Sequence, residues 1–155
     1  MGTQQILLIV LSVIIVGAAI AVGIQMFNNQ SYSANKSAIA ADAQSFASQI
    51  VQYYKTPISQ GGAGQPTTTM DAAAVGGFIG WGAAVTNNDN GNYIVVPQSA
   101  TTVYVYGIGK EEKDSKKPAV RTTVTLPAGS ISAQVIDAAS TTTTSNVASA
   151  GFTGS

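Results

Sequence analysis

From Ile6 to Phe27 the chain runs ILLIVLSVIIVGAAIAVGIQMF, apolar on every side of any helix it forms, with Ser12 and Gln25 the polar interruptions. Fourteen of these 22 residues are Leu, Ile, Val or Phe: Ile6, Leu7, Leu8, Ile9, Val10, Leu11, Val13, Ile14, Ile15, Val16, Ile20, Val22, Ile24 and Phe27. At ~1.5 Å per residue the run makes a helix about 33 Å long, against a hydrocarbon core of ~30 Å. At ~0.3 to 0.6 kcal/mol for each large apolar side chain, insertion is favoured by roughly 4 to 8 kcal/mol. The pattern then changes without a break. Asn28 to Tyr54 holds no Pro and no Gly, and Ile39, Ala43, Phe46, Ile50 and Tyr53 recur at spacings of four, three, four and three. That is one apolar stripe on a helix, with Lys36, Asp42, Gln49 and Lys55 off it. Thr56-Pro57 ends the pattern, because proline disfavours helix in the residue before it. The expectation is one long helix, membrane-compatible over residues 1–27 and amphipathic over 28–56.

Residues 57–155 read as the head that the stripe packs on. Ser59 to Thr69, SQGGAGQPTTT, predicts a flexible connector. Short runs rich in β-branched and aromatic residues follow at Phe78–Trp81, Tyr93–Val96, Thr102–Ile108, Val120–Leu126 and Ile131–Ile136. Val103 and Val105 alternate with Tyr104 and Tyr106, which predicts an aliphatic sheet face toward the helix and tyrosines on the other. Asn90-Gly91 predicts a tight primed turn. Parallel strands need long crossovers for which the chain has no room, so the strands form an antiparallel meander. The fold class is α+β, one long N-terminal helix on a small antiparallel sheet. The tail over residues 138–155 fits a last strand, a disordered end or an O-glycosylated stretch equally well.

Charge and composition narrow the chemistry. The chain has 155 residues, seven basic and seven acidic, no Cys and no His. Without a positive field there is little counterion release to drive phosphate binding, so nucleic acid is not an expected partner. Without thiol or imidazole, most nucleophilic and acid–base chemistries and nearly all zinc sites go too, and no carboxylate pair is placed for acid–base work. Neither an enzyme activity nor a cofactor is expected. Half of the charge falls between Lys110 and Lys117, a solvated connector between strands or a rim contact to a neighbouring subunit. The oxygens of Asn87 to Gly91 carry one carboxylate, Asp89, too little for a tight calcium site, and suit a turn. Asn29-Gln30-Ser31 and Asn35-Lys36-Ser37 match the N-glycosylation acceptor but fall on the expected helix. The apolar segment alone also fits a secretory signal, with Ala19-Ile20-Ala21 as the small-x-small site, or a plain single-pass anchor. A buried soluble helix would need more protein than the chain has to cover it.

An apolar N-terminal helix, MGTQQILLIVLSVIIVGAAIAVGIQMF, continued by an amphipathic one and followed by a Gly-rich connector and a small sheet, resembles the type IV pilins and their pilin-like relatives. The resemblance lies in sequence pattern over about the first 55 residues and in architecture over the rest. It implies a structural subunit, inserted in the inner membrane before assembly. The pilus assembly machinery would polymerise it with copies of itself into an extracellular helical filament whose core is the apolar half-helices. Within that resemblance Gly17 and Gly23 look like the helix-weakening positions of pilins; close packing through small residues explains them as well. Family leaders end in a basic residue plus Gly and place a glutamate at the fifth mature position. Here Gly2 is the only candidate cleavage point, which would put Leu7 fifth, whereas the uncut chain from Met1 puts Gln5 there. Gln5 offers hydrogen bonds but cannot cancel a neighbour's buried N-terminal ammonium, an unpaired charge that costs several kcal/mol in low dielectric. The terminus is therefore expected to be neutralised, for example by retained formylation, or wetter than in the family; intact mass spectrometry distinguishes the two. The competing function is a membrane-retained pseudopilin or minor pilin-like binding module of a secretion or adhesion machine.

Overall fold

The computed structural model describes residues 2–152. A single helix, α1 (Gly2–Lys55), is 54 residues long, about 81 Å at ~1.5 Å per residue. It ends where Thr56-Pro57 forbids continuation, and Thr56 Oγ1 donates to the Gln52 carbonyl. Five strands follow: β1 (Val85–Asn87), β2 (Gly91–Pro97), β3 (Thr102–Gly109), β4 (Lys116–Thr125) and β5 (Ser130–Ala139). They form one antiparallel sheet in the order β1-β2-β3-β4-β5, the meander that the short connections allow.

The sheet's two faces divide as the alternation in β3 predicts. Val103 and Val105 are fully buried under α1 together with Val95, Val120 and Val124. The helix contributes Ile39, Ala43, Ala47, Ile50, Tyr53 and Tyr54 to the same core. Ala43 and Ala47 lie one turn apart, and their small side chains let the helix settle close to the strands. Phe46 closes the side of this core, its ring edge-on to Trp81 at 4.9 Å and to Tyr93 at 5.2 Å. On the opposite face Tyr106 and Ile108 are covered by the tail, which crosses back through a short 3-10 turn (Val147–Ser149) and places Val147 and Phe152 against them. So the tail is strand to Ala139 and then a cover over the outer face, as far as it is described.

Three local expectations need correction. Phe78–Trp81 is not a strand: Asp71 caps a helix, α2 (Ala72–Phe78), by accepting from Ala74 N at 3.0 Å, and the Ala-rich segment propagates it. The strand in this region is instead β1, seven residues further on. The segment Ser59–Thr69 is not a loose tether: the backbone N–H groups of Ala63, Gly64 and Gln65 donate to the carbonyls of Tyr53, Thr56 and Tyr54, satisfying the end of α1. Asn90-Gly91 is not a primed turn, since neither residue has positive φ. Gly91 is there because a Cβ would strike the Ile108 carbonyl across the ladder. The primed turn is at Asp114-Ser115, with φ of 51° and 59°, between Lys113 and Lys116, which exchange both backbone hydrogen bonds at 2.9 Å. The charged run Lys110–Lys117 is thus a hairpin connection.

Candidate assembly surface

Every described residue up to Gln30 is solvent-exposed. Fifteen large apolar side chains between Ile6 and Phe27, Met26 included, are 50% to 70% exposed, with no sheltered side around the cylinder. The helix is long and apolar enough to cross a membrane, and none of its apolar window is buried within the chain. At ~1.5 kcal/mol for burying each such side chain, on the order of 20 kcal/mol of burial is left unrealised by the chain alone. The surface therefore demands an apolar surrounding that the head does not provide.

The other sequence-derived positions fall around it as follows. Gln5 lies exposed in the first turns of α1, and Gly2 begins the helix with no neighbour within 4 Å of where its Cβ would be. Met1 lies outside the described residues. Gly17 and Gly23 also face open space, and the helix is unbroken through both, so nothing inside the chain requires glycine at either. Ile39, Ala43, Ile50 and Tyr53 are buried against the sheet and Phe46 is partly buried beside them. Ala47 and Tyr54, which also belong to this contact, continue the stripe four residues beyond Ala43 and Ile50, and that spacing was the signal for them.

Where the exposed half-helix meets the head, two polar anchors fix the angle of departure. Asp137 at the end of β5 accepts from Lys36 Nζ at 2.8 Å and from Tyr32 Oη at 2.9 Å. These two hydrogen bonds hold its carboxyl below the usual carboxylate range, while burial and the contact with Asp137 push the Tyr32 hydroxyl well above its ordinary value. Further along, Asp42 Oδ2 accepts from Asn88 Nδ2 at 2.8 Å, Asn90 Nδ2 at 2.8 Å and Tyr93 Oη at 2.7 Å. Burial pushes the Asp42 carboxyl up, but the three donors outweigh it and the net shift is downward. Burial and the same carboxylate push Tyr93 well above the ordinary tyrosine value. The amide groups of the β1–β2 turn are thus turned toward the helix, and Asn88 Oδ1 accepts from the backbone of Asn90 and Gly91. Pattern reading missed this knot, because Asp42 looks like any solvated residue off the apolar stripe.

Among the described residues no group of three or more His, Cys, Asp or Glu side chains is arranged to hold a metal. A shallow, open groove of about 680 Å³ lies on the outer sheet face, lined mainly by hydroxyl and amide side chains with Tyr104 and Arg121. Arg121 lies over the Tyr104 ring at 5.3 Å and donates to Gln134 at 3.1 Å. No family model, no curated protein and no solved structure matches the chain.

Proposed function

We propose that this chain is the structural subunit of an extracellular type IV pilus-like filament, held together by lateral packing of the Ile6–Phe27 half-helices of many copies. The observation that carries this reading is the fully exposed apolar half of α1, rigidly continued into a folded head by the second half of the same helix. A signal sequence or plain anchor has no need of a head built directly onto the helix's continuation. A filament does, because the head's position is then set by the helix that packs in the core. Before assembly the same surface sits in the membrane, where insertion is favoured by roughly 4 to 8 kcal/mol. Transfer from lipid to a core of sister helices keeps it apolar throughout. The near-absence of net charge lets many heads stack without mutual repulsion.

The outer-face groove favours a second reading, in which the chain stays in the membrane as a pseudopilin or minor pilin-like binding module. Electron microscopy of sheared surface material separates the two. Filaments whose mass is mostly this chain support the first, and quantitative retention in the membrane fraction supports the second.

A further inference from the structure

We propose that, while the chain sits in the membrane, the crevice between the β3–β4 hairpin and the middle of α1 holds the headgroup of a zwitterionic phospholipid, a phosphate beside a primary ammonium. The inference rests on the membrane-inserted stage of the reading above and names the lipid that the head meets there.

The hairpin is pinned against the helix close to where the apolar run stops. Gly109 packs so tightly that a Cβ would strike Asn35 Oδ1, and the same oxygen accepts from the Glu111 backbone N–H at 3.4 Å. Past that contact the hairpin continues along α1 toward its apolar half, so that Lys113 and Asp114 share a crevice of about 320 Å³ with Gln25, Asn28 and Asn29. A smaller crevice of about 180 Å³ lies on the other side of the same two residues, lined also by Tyr32, Lys116 and Asp137. The tip holds its shape without a ligand. Lys113 and Lys116 exchange backbone hydrogen bonds, and the Ser140 N–H donates to the Ser115 carbonyl at 3.0 Å.

Depth follows from the helix. Headgroups occupy about 5 to 7 Å on either side of a ~30 Å hydrocarbon core. With Phe27 at the hydrocarbon boundary, that layer covers roughly the next three to five residues at ~1.5 Å each. Asn28 and Asn29 fall within it and Gln25 just beneath, so the crevice opens where headgroups lie.

Charge decides which headgroup fits. Lys110 to Lys117 carries four lysines and three acidic residues, and Lys36 is paired with Asp137, so this end of the head has no cationic patch to gather anionic lipid. The crevice instead offers one ammonium and one carboxylate on adjacent residues. Among the described residues neither Lys113 nor Asp114 forms an ion pair. Lys113 has only donors and suits a phosphate, Asp114 has only acceptors and suits an ammonium, and the amides of Gln25, Asn28 and Asn29 supply both. A primary ammonium brings three N–H donors to these oxygens, whereas a trimethylammonium brings none. A headgroup with a phosphate and no cation meets Asp114 as a like charge.

The test reconstitutes the full-length chain in vesicles of equal parts phosphatidylethanolamine, phosphatidylcholine and phosphatidylglycerol with matched acyl chains. Flotation reports insertion, and native mass spectrometry after extraction in a non-ionic detergent counts the lipid of each kind that stays bound. The expected result is bound phosphatidylethanolamine in about two- to fivefold excess over either competitor, the scale of one exposed ion pair. Lys113→Gln is expected to lower the amount of phosphatidylethanolamine retained by a similar factor. Asp114→Asn, which keeps the turn because asparagine tolerates its positive φ, is expected to abolish the excess over phosphatidylglycerol. Lys110→Gln, an exposed position on the same hairpin outside the crevice, is expected to leave the excess intact. Equal retention of the three lipids, an excess of either competitor, or an excess that Lys113→Gln and Asp114→Asn both leave unchanged overturns the site and leaves the membrane stage standing. Loss of the excess in Lys110→Gln also overturns it, in favour of diffuse charge. A chain that fails to float overturns the membrane stage and the site together.

Discussion

Asp42 is the side chain whose removal should be felt most in the head. One carboxylate oxygen satisfies Asn88, Asn90 and Tyr93, so Asp42→Asn sets an amide donor among three donors. The expected loss is about 1 to 3 kcal/mol, read by denaturant unfolding of the full chain in detergent. The pH dependence has a definite sign. A carboxyl whose native pKa is lowered stabilises the fold in full above its unfolded value of ~3.9, and that contribution is lost as pH falls from there through the native value. The head is therefore expected to weaken in acid below about pH 4, with a shallower acid limb in Asp42→Asn. Asp137 shifts the same way but is 44% exposed, so solvent screens its share. Thr122 makes the opposite case. Its hydroxyl is fully buried on the helix side of β4 and, among the described residues, has no hydrogen-bond partner. Thr122→Val keeps the shape and removes an unmet desolvation cost, so a gain on the order of 1 kcal/mol is expected in the same unfolding measurement.

At the scale of elements, what was legible was what is long or strictly periodic. The apolar run and the four-three stripe specify α1 to within a residue of its end, because each turn repeats the same instruction. β3 was equally plain, its Val–Tyr alternation assigning both faces. The short elements were not. α2 has seven residues, Ala- and Gly-rich, and β1 only three, too few to show a period, so tertiary contacts decide them rather than pattern. Glycines misled for the same reason, since their role is set by what lies across from them. Gly107 sits where a Cβ would come within 2.8 Å of the Tyr93 ring and 2.9 Å of Val120 Cγ1. Tyr93 cannot swing away, being tied to Asp42. Gly107→Ala is therefore expected to cost about 1 to 3 kcal/mol by overpacking the helix–sheet contact. Gly77, inside α2 with open space around it, should respond with the opposite sign. Gly77→Ala removes backbone freedom from the unfolded chain and is expected to stabilise by about 0.5 to 1 kcal/mol. Thermal unfolding of the two variants side by side checks both signs.

For the whole molecule, the proposed filament reading turns on the contrast between an apolar helix in lipid and one among its copies. The sequence made this surface legible from hydropathy alone, whereas the Asp42 knot and the hairpin crevice arise only from residues brought together across the fold. Ile14 lies near the middle of the exposed run and is 61% exposed. Ile14→Arg adds a cost of about 2.5 to 3.5 kcal/mol at mid-span and forfeits about 0.3 to 0.6 kcal/mol, against the roughly 4 to 8 kcal/mol that favour insertion. Insertion thus remains favourable, helped by the long arginine stem reaching toward the interface. A filament core offers no such escape. The charge would recur in every copy, desolvated and with no acidic side chain anywhere before Asp42 to pair with it, at several kcal/mol per subunit. The expected outcome is a chain that still fractionates with membranes but no longer appears in sheared filaments. Loss from the membrane fraction as well would show that insertion alone was being measured. Filaments of normal abundance would show that Ile14 faces water or lipid in the polymer, and would remove the apolar half-helix as the seat of assembly.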